Sequence, residues 1–301
     1  MLAMEFANCS LVPHGSEAGL IIFQRVAYTP VFIVGLILNT LVLWRFTRIP
    51  KWTETHIFML NLLLADLLLT LFLPFRIFET YCPIKPTRFC TFLISVHYIN
   101  MYVSIFTITA ISVHRYIAIR FPMHSKSGTG ASEDRRKKIT SGACAFIWVL
   151  VITINITFRE NMYPEFLKTC YELKGWRKMS LGFLLVLEII GYLLPIVTIT
   201  ICSTQTIWTV LNSVKDIRQR TEEDISVTRK RAVAIIKANM IVFIVCFTPI
   251  HVAYLLRYIF EEKYIYTHIF YDISEWLATT NCCLDSVGYY FLLKKVFRDK
   301  R

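Results

Sequence analysis

Seven long apolar runs dominate this 301-residue chain, at approximately 27–46, 55–78, 89–119, 140–158, 180–211, 233–259 and 267–292. A bilayer core about 30 Å thick needs roughly 20 apolar residues per helix, and the runs match or exceed that length. Lipid offers no hydrogen bonds to a backbone, so such runs must be helical. Runs such as 31–44 and 60–75 lack the polar face that a soluble helix shows, which excludes a soluble all-α protein. At 55% hydrophobic and 18% charged residues the chain is too apolar for disorder. Nine cysteines spread over this length do not make a small disulfide scaffold. The expected fold is an all-α membrane protein, a seven-transmembrane helix bundle, and the expected location is the plasma membrane, multi-pass. No repeat relates the two halves, and seven spans suit the paired repeats of many transporters poorly.

Charge sets the expected orientation. The segments after spans one, three, five and seven, with their span ends, hold 22 of the 33 Lys and Arg but only 8 of the 21 acids. Positive segments stay in the cytoplasm, so the N-terminus is expected outside. The net charge of +12 then faces anionic lipid and partners inside the cell; it forms no stripe suited to nucleic acid. Residues 1–19 have neither a basic start nor an apolar core of signal-peptide length, so span one is expected to insert itself. The expected organisation is an extracellular segment at 1–26, a seven-span domain at 27–292, and the start of a cytoplasmic amphipathic helix at 293–301, where Val296 and Phe297 can face lipid.

In this orientation Cys9, Cys82, Cys90 and Cys170 lie outside, where disulfides persist. Four cysteines allow three pairings. A Cys90–Cys170 bridge would pin the long loop before span five across the mouth of the bundle. Cys9 and Cys82 would then either tie the N-terminus to the first outer loop or remain as two thiols. Asn8-Cys9-Ser10 is a glycosylation sequon on the outer side. Asn155-Ile156-Thr157 matches the same pattern inside a span and is expected bare.

Local motifs go further than seven helices. Span one has Gly35-Leu36-Ile37-Leu38-Asn39, and span two has Leu60-Asn61 and Ala65-Asp66. Span three runs from Cys90 to His114-Arg115-Tyr116, with Pro122 beyond it. Trp148 lies in span four and Pro195 in span five. Span six has Phe243, Cys246-Phe247 and Pro249; span seven has Asn281-Cys282-Cys283-Leu284-Asp285 and Tyr289-Tyr290. This order resembles the rhodopsin-like (class A) G-protein-coupled receptors over nearly the whole chain. Trp52-Thr53-Glu54-Thr55 and the 281–285 motif look like the branch that holds the lysophosphatidylinositol receptor and the receptor linked to kynurenic and lysophosphatidic acids. The chain departs from the family pattern at His114, where an acid usually precedes the span-three arginine. Neutral His is the weaker partner for that arginine. Phe247 replaces a Trp, Ser286 a Pro, and Ser203 a Tyr.

The resemblance implies roles. Asp66, Asn39, Ser104, Asn281 and Asp285 match the family's sodium pocket; two acids close together favour a cation or a shared proton. No other cofactor is expected. Towards the outer end, Arg76, Arg159 and Arg257 supply guanidinium forks suited to carboxylate or phosphate. His97, Tyr98, Tyr102, His251 and Tyr254 add aromatic and hydrogen-bonding surface. An anionic small molecule or lysophospholipid is the expected ligand. The bland alternative is that Glu188, Asp272 and Glu275 neutralise these arginines. At the inner end, Arg115 is expected to meet a heterotrimeric G protein, of class G12/13 or Gi, with arrestin a further candidate partner. His114, Phe247, Pro249, Asp285 and Tyr289 are the expected activation residues, and Lys230, Arg231 and Lys237 can attract acidic surface. A constitutively active or nucleotide-sensing receptor is the nearest alternative. A transporter would want a continuous charged path. An enzyme is not expected, since neither an HExxH metal site nor a GxSxG turn is present.

Overall fold

A computed structural model describes residues 16–121, 130–157, 167–171, 180–212, 222–260 and 265–298. The side chains at 16–17, 130–131, 222–232, 235, 265 and 289–298 lie outside that description. Seven long helices account for nearly all the described residues. They are α1 (Ser16–Phe46), α2 (Glu54–Glu79), α3 (Arg88–Arg120), α4 (Gly130–Thr157), α5 (Leu181–Asn212), α6 (Glu222–Ile259) and α7 (Ile265–Arg298). The first six carry stretches long and apolar enough to cross a membrane. α7 is as long, but Asp272, Ser274, Glu275, Thr279, Asn281 and Asp285 interrupt its apolar run.

Local chemistry sets several helix starts. Thr53 caps α2: its hydroxyl accepts from the His56 N–H, and His56 Nδ1 accepts from the Thr53 N–H in return. Trp52 packs against Phe46 with ring centroids 5.7 Å apart, which fixes the turn between α1 and α2. Thr87 and Ser180 cap α3 and α5 through their hydroxyls alone, which accept from the Cys90 and Phe183 N–H. Helices extend beyond the apolar runs, notably α1 back to Ser16 and α6 back to Glu222. Hydropathy marks depth in a bilayer, whereas the hydrogen-bond ladder continues into water. At the far end α7 runs unbroken to Arg298, so no separate amphipathic helix is delimited there.

α3 is the central post, packed against α2, α4, α5 and α7. α1 rests on α2 and α7, and α6 on α5 and α7. The core joins Leu62 and Leu63 of α2 to Met101 and Ile105 of α3 and to Phe243, Phe247 and Ile250 of α6. Large apolar residues such as Ile37, Leu71, Phe146, Val149, Ile201 and Ile241 point outward. That outward apolar surface is the one a bilayer covers. α5 is wound as a π-helix over Val186–Leu193. There Gly191 meets Tyr102 of α3 so closely that an added Cβ would lie 2.5 Å from the ring.

Gly191→Ala is therefore expected to force α5 away from α3. Overpacking of this kind costs about 1–3 kcal/mol, and a lowered melting temperature of the purified protein checks it.

Candidate ligand pocket and signalling core

The first site is built around a buried ion pair. Arg76, near the C-terminal end of α2, donates from Nη2 to Glu275 Oε2 of α7 at 2.8 Å. His97 Nε2 of α3 lies 3.8 Å from the other Glu275 oxygen. The Arg76 guanidinium sits 4.1 Å from the Tyr171 ring centroid and 5.7 Å from that of Tyr28. Burial pushes the Tyr171 phenol up, against the lowering field of Arg76. One Arg76 donor, Nε, is buried without a hydrogen-bond partner.

The loop that carries Tyr171 is fastened twice. Cys90 and Cys170 form a disulfide with Cα atoms 5.2 Å apart, the first of the pairings weighed from sequence. Glu79 accepts from the Cys170 N–H at 3.0 Å and from the Ile84 N–H at 2.6 Å. Cys82 is disulfide-bonded as well, and Cys9, its expected partner, lies outside the described residues. Asn8 and Arg159 also lie outside them.

Below the ion pair, aromatic residues of α3 and α6 meet. Tyr98 stacks over Tyr254 at 6.4 Å. His251 Nδ1 donates to the Phe247 carbonyl at 2.8 Å, since a carbonyl only accepts. Its Nε2 is then the acceptor for the Tyr102 hydroxyl at 3.3 Å. Tyr192 of α5 stacks on His251 at 4.5 Å and donates to Thr248. Arg257 lies 4.5 Å over the Tyr271 ring. The structure thus joins His97, Tyr98, Tyr102, His251 and Tyr254, and sets Arg76 beside them through Glu275. A crevice of about 30 Å³ opens from this cluster between α3, α4 and α5, lined by Tyr98, Tyr102, Asn155, Phe183, Leu187 and Ile190 among others.

The neutralising acids sort themselves. Glu275 pairs with Arg76 as the bland alternative required. Glu188 does not play that part among the described residues: its Oε1 is buried and unpartnered, because α5 turns it away from the arginines of α2 and α6. Sequence reasoning missed Glu79, Tyr171, Tyr192 and Tyr271. A lone acid at the end of an apolar run was the available signal for Glu79. The aromatics carried none in a chain with 15 Tyr and 22 Phe.

Deeper in the bundle lies a polar core. Asp66 Oδ1 accepts from Asn100 at 3.1 Å, and Asn281 donates to Asp285 at 2.9 Å. Asp66 Oδ2, Ser104 Oγ and Asn281 Oδ1 are buried without hydrogen-bond partners. Three helices thus each contribute a buried oxygen that lacks a hydrogen-bond partner. Asn39 is spent otherwise: it donates to the Gly35 and Cys282 carbonyls and accepts from Ser286, which ties α1 to α7. Asn61 accepts from Trp148 and donates to Thr107, joining α2, α3 and α4.

At the other end, Arg115 shares a small crevice with Ser112, Ser203, Thr206, Ile236 and Asn239 of α3, α5 and α6. Phe247 is fully buried against Phe243, two residues before Pro249. His114 turns to Glu54 of α2. The side chains of Tyr289, Lys230 and Arg231 lie outside the described residues.

A disulfide-strapped loop at one end, a polar core and an arginine in a crevice at the other end are the parts of a signalling receptor. Residues 38–289 match the family described as 7 transmembrane receptor (rhodopsin family), and the chain belongs to it. It is a G-protein-coupled receptor and not an enzyme. Among its relatives, mouse G-protein coupled receptor 55 is 32% identical over 290 residues, covering 90% of this chain and 86% of its own. Human G-protein coupled receptor 35 is 33% identical, with 89% and 84% covered. Mouse lysophosphatidic acid receptor 4 is 31% identical, with 89% and 73% covered.

Removing one member of the buried ion pair leaves the other uncompensated, at a cost of about 3 kcal/mol. Glu275→Gln is expected to lower the melting temperature accordingly. The double change Arg76→Met with Glu275→Leu should recover most of that loss, measured on the same purified protein.

Proposed function

We propose that this plasma-membrane receptor takes an extracellular anionic small molecule or lysophospholipid into the pocket beneath the disulfide-strapped loop. It passes the signal to a heterotrimeric G protein of the G12/13 or Gi class. The observation that carries the ligand class is the Arg76 guanidinium. It is buried and held in place by Glu275, Tyr171 and Tyr28, yet Nε has no partner. A carboxylate or phosphate oxygen satisfies that donor, with Arg257 as a second cationic contact. An acyl or aromatic body would lie along the Tyr98–Tyr254 stack, and the crevice between α3, α4 and α5, about 30 Å³, must widen to admit it. The name of the related lysophosphatidic acid receptor 4 agrees with this chemistry.

The arrangement in the bilayer follows from the charge. The N-terminus lies outside, Asn8 is the glycosylation acceptor, and the Lys- and Arg-rich segments face the cytoplasm. The basic end of α7, 293–298, reaches the inner surface. Asp66, Ser104 and Asn281, the last bonded to Asp285, would hold a sodium ion, which would stabilise the resting arrangement. Ligand binds the active arrangement more tightly and shifts the population. α6 pivots near Pro249, where a backbone bond is missing, and Arg115 then meets the G protein.

The first test is G-protein dissociation in cells across all four G-protein classes. The conditions are no ligand, lysophosphatidylinositol, lysophosphatidic acid and kynurenic acid. Arg257→Ala and Arg76→Gln should each move the half-maximal concentration of an active anion about 10-fold or more, since a lost charged contact costs at least about 1.4 kcal/mol. Arg115→Ala should abolish signalling with surface expression kept. Added sodium should lower basal signalling in the wild type and have no effect in Asp66→Asn. Potencies unchanged in both arginine variants would remove the ligand class.

A further inference from the structure

Glu54 sits in the first turn of α2 with both carboxylate oxygens engaged. Oε2 lies 2.5 Å from His114 Nε2 on α3. Oε1 accepts from Arg136 Nε on α4 at 2.8 Å. One carboxylate therefore joins three helices. The Thr53–His56 capping box and the Trp52–Phe46 contact fix where α2 begins, and so fix where Glu54 stands. On α2, Phe58 meets the His114 ring edge-on at 5.8 Å. His114 is thus held from two positions on one helix.

The placement matters because His114 immediately precedes Arg115. The acid stands on α2 and the base on α3. The bond crosses between helices instead of joining neighbours along one.

We propose that Glu54 is a positioning residue for G-protein coupling. It holds His114 and Arg136 as one unit and thereby sets the ends of α3 and α4 beside Arg115. The proposal rests on the reading that this end of the bundle receives the G protein. The three side chains retain 19–30% of their exposure, so the bridge adds little to global stability. Its effect falls on the geometry of the coupling face.

The test is basal guanine-nucleotide exchange on purified heterotrimeric G protein, catalysed by the full chain in lipid nanodiscs. Glu54→Gln and His114→Gln should each slow exchange about 5-fold, the lower end of ordinary coupling between sites. The double variant should be no slower than either single one, since both break the same unit. Arg136→Gln should slow exchange in the same direction, which keeps the test open if a His114 variant folds poorly. Melting temperatures should move little in all of them. Exchange equal to or faster than wild type in Glu54→Gln, or a double variant slowed by the product of the single effects, would overturn the proposal. Arg115→Ala is the control. A wild type no faster than that variant would place the failure in the coupling reading itself, and the proposal would fall with it.

Discussion

A buried polar side chain in this bundle bonds either within its own helix or to a partner on another, and only the second kind of bond fixes how the helices sit together. Those cross-helix bonds organise the structure. Asn39 reaches from α1 to the Cys282 carbonyl of α7. Asn61 joins α2 to α3 and α4, and Arg76 joins α2 to α7. Tyr102 joins α3 to α6, and Tyr192 joins α5 to α6. Lipid tails are as apolar as the leucines they cover, so apolar contact alone does little to bring such helices together in one register. Directional polar links, together with close packing such as Gly191 against Tyr102, choose the arrangement.

The same links lay out the function along the bundle axis. At one end a strapped loop carries Tyr171 onto Arg76, and a buried acid keeps that guanidinium in place. In the middle, three oxygens without partners mark where the network is incomplete. At the other end Arg115 lies in a small crevice between α3, α5 and α6, with His114 held to α2 beside it. Buried groups left incompletely satisfied cost stability. They also leave room for a ligand or an ion to bind one arrangement more tightly than another, which is what a switch needs.

Much of this was legible in the residues. The seven runs, the motifs carried by Asn39, Asp66, Arg115, Trp148 and Asp285, and the cysteines at 90 and 170 pointed to the receptor fold. Buried charge was a reliable flag, and Asp66, Arg76 and Glu275 all occupy interior sites. Partnerships were harder to read. Glu275 was one of three acids weighed for neutralising the arginines, and only the rotation of α7 about its axis decided that it meets Arg76. Glu188 was in the same group, and the π-wound stretch of α5 leaves its Oε1 without a partner. Nothing in the apolar sequence around 186–193 announces that winding.

The sequence by itself determined that the chain is helical, crosses a membrane many times and carries a receptor's landmarks. Those properties follow from composition along single helices, where local hydropathy and backbone hydrogen bonding suffice. Tertiary structure alone decided that Glu79 fastens the loop at Cys170, that Asn39 is tied to α7, and that Glu54 bridges His114 and Arg136. The members of each pair stand far apart in the chain. Helices that are apolar nearly all round carry no stripe to fix their rotation, so their neighbours settle which side chains meet.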